Sequence, residues 1–381
     1  MSRIEGLRCA FGALLCLSLA GCFSSSKAPE PMALTSFQPA ATLVEDWSLR
    51  TGDLAHTVLR PVTGGASVFA ASARGELARY EGGRELWSIR AAKSLSSGVA
   101  VDGRVAIVST SDGKLLAFDS TQGKPLWNVQ LSGEVSGQPL IADELVIVRV
   151  GDNQVLAFDV ADGKRRWVYE RAQSSLNLRT YSGVTRLGDA VLAGFSGGKL
   201  VLLSLAGGFP RWEATVATPR GANELERMTD IVGEPLVRGD QVCVAAYQAR
   251  VACVEATRGT VRWTRDIPSG VGADADDTFF YVTDSSGAVH ALDLKTGATA
   301  WKQDKLLWRG LGRPLVFGDY VVVADTLGWV HLLNRKDGLF AARLRADSTG
   351  FSAPLAKLGA GFAAQARDGT VVALSIKPAV K

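Results

Sequence analysis

Histidine is almost missing from this chain: His56, His290 and His331 are the only three among 381 residues. Imidazole catalysis and histidine-rich metal centres therefore have little to draw on. Cysteine is scarce as well. Of the five, Cys9, Cys16 and Cys22 lie near the N-terminus, leaving Cys243 and Cys253. These two lack the short C-x-x-C spacing that lowers a thiol pKa, so a redox centre is not indicated. Charge of one sign is missing too: 42 Lys and Arg face 38 Asp and Glu, a net +4 that marks out no polyanion or nucleic-acid partner. The longest early apolar run, Cys9 to Ala20, is about twelve residues, where a membrane-spanning helix needs about 20. No G-x-S-x-G string comes with a plausible triad, and no glycine-rich loop sits between a strand and a helix. No catalytic residue, metal or cofactor is expected.

What is present is a repeated phrase. Ala117-Phe118-Asp119-Ser120-Thr121-Gln122-Gly123-Lys124-Pro125-Leu126-Trp127 returns as Ala157, Asp159, Gly163, Trp167 and as Ala291, Asp293, Gly297, Trp301. A worn copy reads Ala252, Glu255, Gly259, Trp263, while Gly83 with Trp87 and Gly208 with Trp212 keep only the spacing. Each phrase follows a β-branched run and a polar or glycine turn, the pattern of a β-hairpin. From Trp47 to Trp301 the tryptophans are separated by 40, 40, 40, 45, 51 and 38 residues. A period near 40 with strand-turn-strand units predicts an all-β propeller of four-stranded blades. Hairpin turns near Gly75, Gly113, Asn153, Gly197, Ala249, Gly287, Gly328 and Gly369 predict eight blades.

The last hairpin, Arg367 to Leu374, has no phrase after it, whereas Trp47 has no hairpin before it. The N-terminal strand around Val44 to Leu49 is therefore expected to complete the eighth blade and close the ring. The repeated acids Asp119, Asp159 and Asp293 read as turn formers that accept backbone amides. The tryptophans read as wedges between blades. His290 and His331 share one register on neighbouring blades, without companion ligands.

Ahead of the ring, residues 1–21 read as a signal peptide: Arg3 and Arg8, a short apolar run, then small residues. Residues 22–40, with the run Ser24-Ser25-Ser26, three prolines and no periodicity, read as a flexible tether, and 41–381 as the propeller. Cys243 and Cys253 flank a turn near Gln248, so they are either a cross-strand disulfide or two buried thiols.

The period breaks twice in succession, in the 45- and 51-residue intervals. The extra residues fall in Arg171 to Thr180 and in Ala217 to Asp230, each crossing from one blade to the next on the same face. Leucines beside an arginine, next to a mixed-charge loop, suit a protein-docking patch. The alternation of Leu176 and Leu178 with Asn177 and Arg179 also suits an innermost strand with buried leucines.

Together the lipobox-like Leu19-Ala20-Gly21-Cys22, the eight repeats and the stretch Lys305-Leu306-Leu307-Trp308-Arg309 followed by Gly318 to Asn334 resemble the BamB family. That family belongs to the outer-membrane β-barrel assembly machinery. The resemblance implies an outer-membrane lipoprotein acylated at Cys22, facing the periplasm, that acts as a non-enzymatic scaffold. It implies docking on the periplasmic POTRA domains of BamA through Leu176, Leu178 and Arg179 in one loop and Asp230 in the next. Val232 stands where a second acid is often found. Unfolded outer-membrane proteins are a further partner the resemblance implies. Two other readings remain: a quinone-dependent dehydrogenase-like propeller, whose calcium site and catalytic aspartate are not legible here, and a scaffold for another envelope complex.

Overall fold

The computed structural model describes residues 29–379 other than 56, 136, 152 and 173–180. It is an all-β ring of eight four-stranded antiparallel sheets. In the first blade the strands run from innermost to outermost as Val62–Gly64, Ser67–Ala71, Glu76–Glu81 and Arg84–Arg90. Every later blade repeats this order up to the eighth. There the outermost strand is Ala41–Arg50, paired with Thr370–Pro378 from the other end of the chain. The closure expected from the unmatched ends is what the ring adopts, and it leaves no open blade at the seam.

Burial explains the strand sequences. Ser67–Ala71 and Val105–Ser109 are buried at every residue, because the faces of each blade pack on two neighbours and the second strand meets apolar contacts on both sides. Outer strands such as Arg165–Glu170 alternate towards solvent and keep Trp167 turned inward.

The phrase resolves into a joint between blades. Its acid holds a turn: the Asp119 carboxylate accepts the amides of Thr121 and Gln122 at 2.9 and 2.7 Å, and Asp293 repeats this with Lys295 and Thr296 at 3.1 and 2.8 Å. Its glycine adopts a left-handed conformation and takes the flat face of the preceding blade's tryptophan. A Cβ on Gly208 would stand 2.5 Å from the Trp167 ring. The tryptophan then donates its indole N–H to a carbonyl three residues before that glycine. Trp87, Trp127, Trp167, Trp212, Trp263 and Trp301 reach Ser120, Val160, Leu205, Ala256, Leu294 and Arg335 at 2.8–3.1 Å. The small residue of the phrase lies directly across the ladder from the tryptophan, as in Ala117 with Trp127 and Ala157 with Trp167. By the same register the fifth blade fills that slot with Cys253, opposite Trp263, and not with Ala252.

Ala342 occupies the slot where the seventh blade's tryptophan would fall, and the ring shows why. The eighth blade's outermost strand comes from the N-terminus, so no phrase turn exists there to receive an indole. Trp47 on that strand instead packs on Gly83 of the first blade.

The segment assigned to the tether is partly ring. Met32 donates to Leu307 O and Ala40 to Ala341 O, both at 2.9 Å. Leu34 joins the apolar cluster of the sixth and seventh blades, the Phe37 and Phe340 rings pack with centroids 5.4 Å apart, and the Arg343 guanidinium lies over both at 5.1 and 4.9 Å. Two apolar side chains and two carbonyl-capturing arginines, Arg309 and Arg343, dock a stretch that has no periodicity of its own. Among the described residues no helix is long and apolar enough to cross a membrane.

Candidate docking face

In each blade the crossover from outermost to next innermost strand runs beside the turn joining the second and third strands. Ala91 bonds Gly75 O at 2.8 Å, Leu131 bonds Gly113 O at 2.7 Å and Val216 bonds Gly198 O at 2.9 Å. All crossovers therefore share one face. On it the two over-long ones begin and end, leading into the fourth and fifth blades.

Leu176, Leu178 and Arg179 of the first crossover lie outside the described residues, as does Cys22. The second crossover is organised by its own polar groups. Asn223 Oδ1 accepts the Glu226 amide and its Nδ2 donates to Glu226 Oε1, both at 2.9 Å, while Glu226 Oε2 accepts the Ala222 amide at 2.8 Å. Arg227 Nε donates to Gly221 O at 3.0 Å. These bonds hold Leu225 at the apex, 66% exposed, with Met228 turned into the ring.

Asp230, expected as a docking acid, lies at the foot of the loop, only 6% exposed, where its carbonyl accepts the Tyr247 amide at 2.9 Å. It precedes the innermost strand Ile231–Arg238 directly, and that position draws it under the ring surface. Val232 is likewise buried, in an apolar cluster with Leu236, Cys243 and Ala245. Cys243 and Cys253 are direct cross-strand partners with Cα atoms 4.0 Å apart, and their sulfurs are joined.

Below the crossovers lies a charged knot that sequence reasoning missed. Ladder pairing of Ile231–Arg238 is interrupted between Val232 and Leu236, where Gly233 adopts φ +74°. Gly233 thereby donates to Tyr181 O at 2.8 Å and accepts from the Gly183 amide at 3.1 Å, while Ser182 Oγ donates to Ile231 O at 3.1 Å. The next residue, Glu234, faces the ring axis. Its carboxylate takes Arg60 Nη1 at 3.1 Å, Arg313 Nη1 and the Tyr181 hydroxyl. Burial alone raises the Glu234 pKa, but Arg60 and Arg313 hold it down to about 2. Beside the knot a cavity of about 230 Å³ is lined by Arg60, Asp274, Arg313 and Lys357 among others.

One signal could have exposed the knot. Arg60, Glu234 and Arg313 each precede a proline, just ahead of an innermost strand for Arg60 and Arg313 and within the interrupted part of the ladder for Glu234, places where a missing N–H is tolerated. The two remaining described histidines serve turns: His290 bonds Asp284 at 2.8 Å and His331 approaches Asp325 at 3.3 Å. Among the described residues no three His, Cys, Asp or Glu side chains are grouped to hold a metal.

Residues 73–303 match the family model described as outer membrane protein assembly factor BamB. The chain belongs to the BamB family. The Pseudomonas aeruginosa BamB is 43% identical over 96% of this chain and 98% of its own length. The Bordetella pertussis BamB is 35% identical over 93% and 94%, and the Escherichia coli BamB 31% identical over 96% and 97%. The crystal structure of BamB from Moraxella catarrhalis superposes with a TM-score of 0.81 at 26% identity, covering 87% of this chain and 99% of that one. A quinohemoprotein alcohol dehydrogenase from Pseudomonas putida reaches a TM-score of 0.70 at 12% identity, which is likeness of fold alone.

Proposed function

We propose that this BamB-family chain is a non-enzymatic scaffold of outer-membrane β-barrel assembly, lipid-anchored through Cys22 and facing the periplasm. Its docking face is the one carrying the two long crossovers, and the POTRA domains of BamA are the partner. The supporting observation is that both departures from the 40-residue period begin and end on one face of adjacent blades and are hydrogen-bonded to each other at their feet. In a ring whose other joints repeat, extra chain at one place on one face suits a partner better than it suits the ring itself. Leu176, Leu178 and Arg179 supply the apolar and charged contacts. Asp230 shapes the base of the second loop, and exposed Leu225 offers a further apolar contact.

The test is capture of BamA from detergent-solubilised envelopes, comparing wild type with a folded Leu176→Ala, Leu178→Ala, Arg179→Ala variant. Loss of BamA with the variant supports the docking reading; no capture by the wild type refutes it. Palmitate labelling that disappears in Cys22→Ser checks the anchor, and label that persists refutes it.

A further inference from the structure

We propose that Glu234 is a positioning residue for the docking face: it ties together the points where both long crossovers rejoin the ring. This rests on the docking reading given above. Three features carry it. Gly233 leaves its own sheet, and its freed N–H and C=O go to Tyr181 and Gly183, at the end of the other crossover. Glu234 then clamps the junction from the axial side, because the Tyr181 hydroxyl donates to the carboxylate that also holds Arg60 and Arg313. Arg60 belongs to the first blade and Glu234 to the fifth, which face each other across an eight-membered ring, so the clamp is braced against the far wall.

The surroundings are shaped for this carboxylate. Gly183 leaves room for it, since a Cβ there would stand 2.7 Å from Glu234 Cγ. A buried ion pair is weak as a source of stability, because desolvation offsets most of its attraction. Its strength is geometric: a carboxylate satisfied by two guanidiniums and a phenol has few alternative arrangements. The ring is already closed by its strand ladders and its tryptophan joints. The contribution left to the knot is the relative placement of Tyr181–Gly183 and Ile231–Glu234, from which the two crossovers spring.

The experiment compares wild type with Glu234→Gln and with Tyr181→Phe, both close in shape to the original side chains. Amide exchange is followed at residues 181–183 and 231–234, and affinity for purified BamA periplasmic domains is measured on folded protein. Exchange at these amides is expected to rise about tenfold or more in Glu234→Gln, and less in Tyr181→Phe, with distant blades unchanged. Affinity of the folded variants is expected to fall about tenfold. A role confined to ring stability would lower the melting temperature and leave the affinity of folded protein unmoved, which overturns the proposal. Unchanged local exchange in Glu234→Gln overturns it as well. If wild type fails to bind BamA, the docking reading falls, while the exchange comparison still decides whether Glu234 ties the two junctions.

Discussion

Replacing Gly208 by alanine isolates the joint between the third and fourth blades, because the fourth blade contains its own control. Gly208 and Gly197 have nearly the same backbone, at φ +70° and +69°. An added Cβ at Gly197 meets nothing within 4 Å, whereas at Gly208 it meets Trp167 ring atoms at 2.5, 2.7 and 3.1 Å. Both substitutions incur left-handed strain of about 1–2 kcal/mol, partly offset by the lower entropy of the unfolded chain. Only Gly208→Ala also displaces the buried indole, with its 2.8 Å bond to Leu205 O. Losing that bond costs about 1 kcal/mol, and imperfect repacking of the ring about 1–2 kcal/mol more. Gly208→Ala should therefore be less stable than Gly197→Ala by about 2–3 kcal/mol. Urea unfolding followed by tryptophan fluorescence and circular dichroism measures the difference. If the two variants unfold within about 0.5 kcal/mol of each other, the glycine does not serve as the seat of the wedge.

Two further outcomes follow from buried groups. Burial pushes the His331 imidazole down despite the carboxylate of Asp325, and Arg343 Nε donates to its Nδ1 at 3.1 Å. The folded state thus takes up its proton at a lower pH than the unfolded state, where histidine titrates near about 6.5. Stability should be level above that value and decline as pH falls below it, by at most about 1.4 kcal/mol per pH unit for this one proton. His331→Gln should show a shallower decline in urea midpoints between about pH 7.5 and 5.5, and an equal slope would refute the assignment. The Cys243–Cys253 bridge closes a loop with a sequence separation of 10, for which the chain-entropy account gives about 2–3 kcal/mol. Thiol labelling of the denatured, unreduced protein should find neither cysteine, and two labelled sites would show that the bridge is absent.

Residues 73–303 fall within the BamB model, and the reason this family was readable lies in how local its joint is. An aspartate, a left-handed glycine four residues on and a tryptophan four beyond that form one turn and one wedge packed against the next blade. Each copy therefore stands complete within eleven residues, such as Ala117 to Trp127. Eight blades, their strand order and the closing N-terminal strand follow from counting the hairpin turns that go with those copies and noting the unmatched ends. The missing tryptophan at Ala342 was visible in the sequence, but its cause needed the ring, where the eighth blade has no turn to receive one.

Depth beneath the surface was not readable in the same way. Asp230 looks like an exposed acid in a polar loop, and only the start of strand Ile231–Arg238 under the ring face buries it. Met32 to Ala40 carries no period because it docks as a single strap, through Leu34, Phe37 and two arginines brought from the sixth-to-seventh crossover and the seventh blade. The axial knot is the furthest removed from any local pattern. Arg60 lies 174 residues and Arg313 79 residues from Glu234, so no window of sequence contains them together. By itself the sequence determined the repeat, the ring and the place where the repeat is interrupted, because those depend on contacts within one blade or between adjacent ones. The closed ring alone decided which charges meet at its axis, since only closure brings opposite blades face to face.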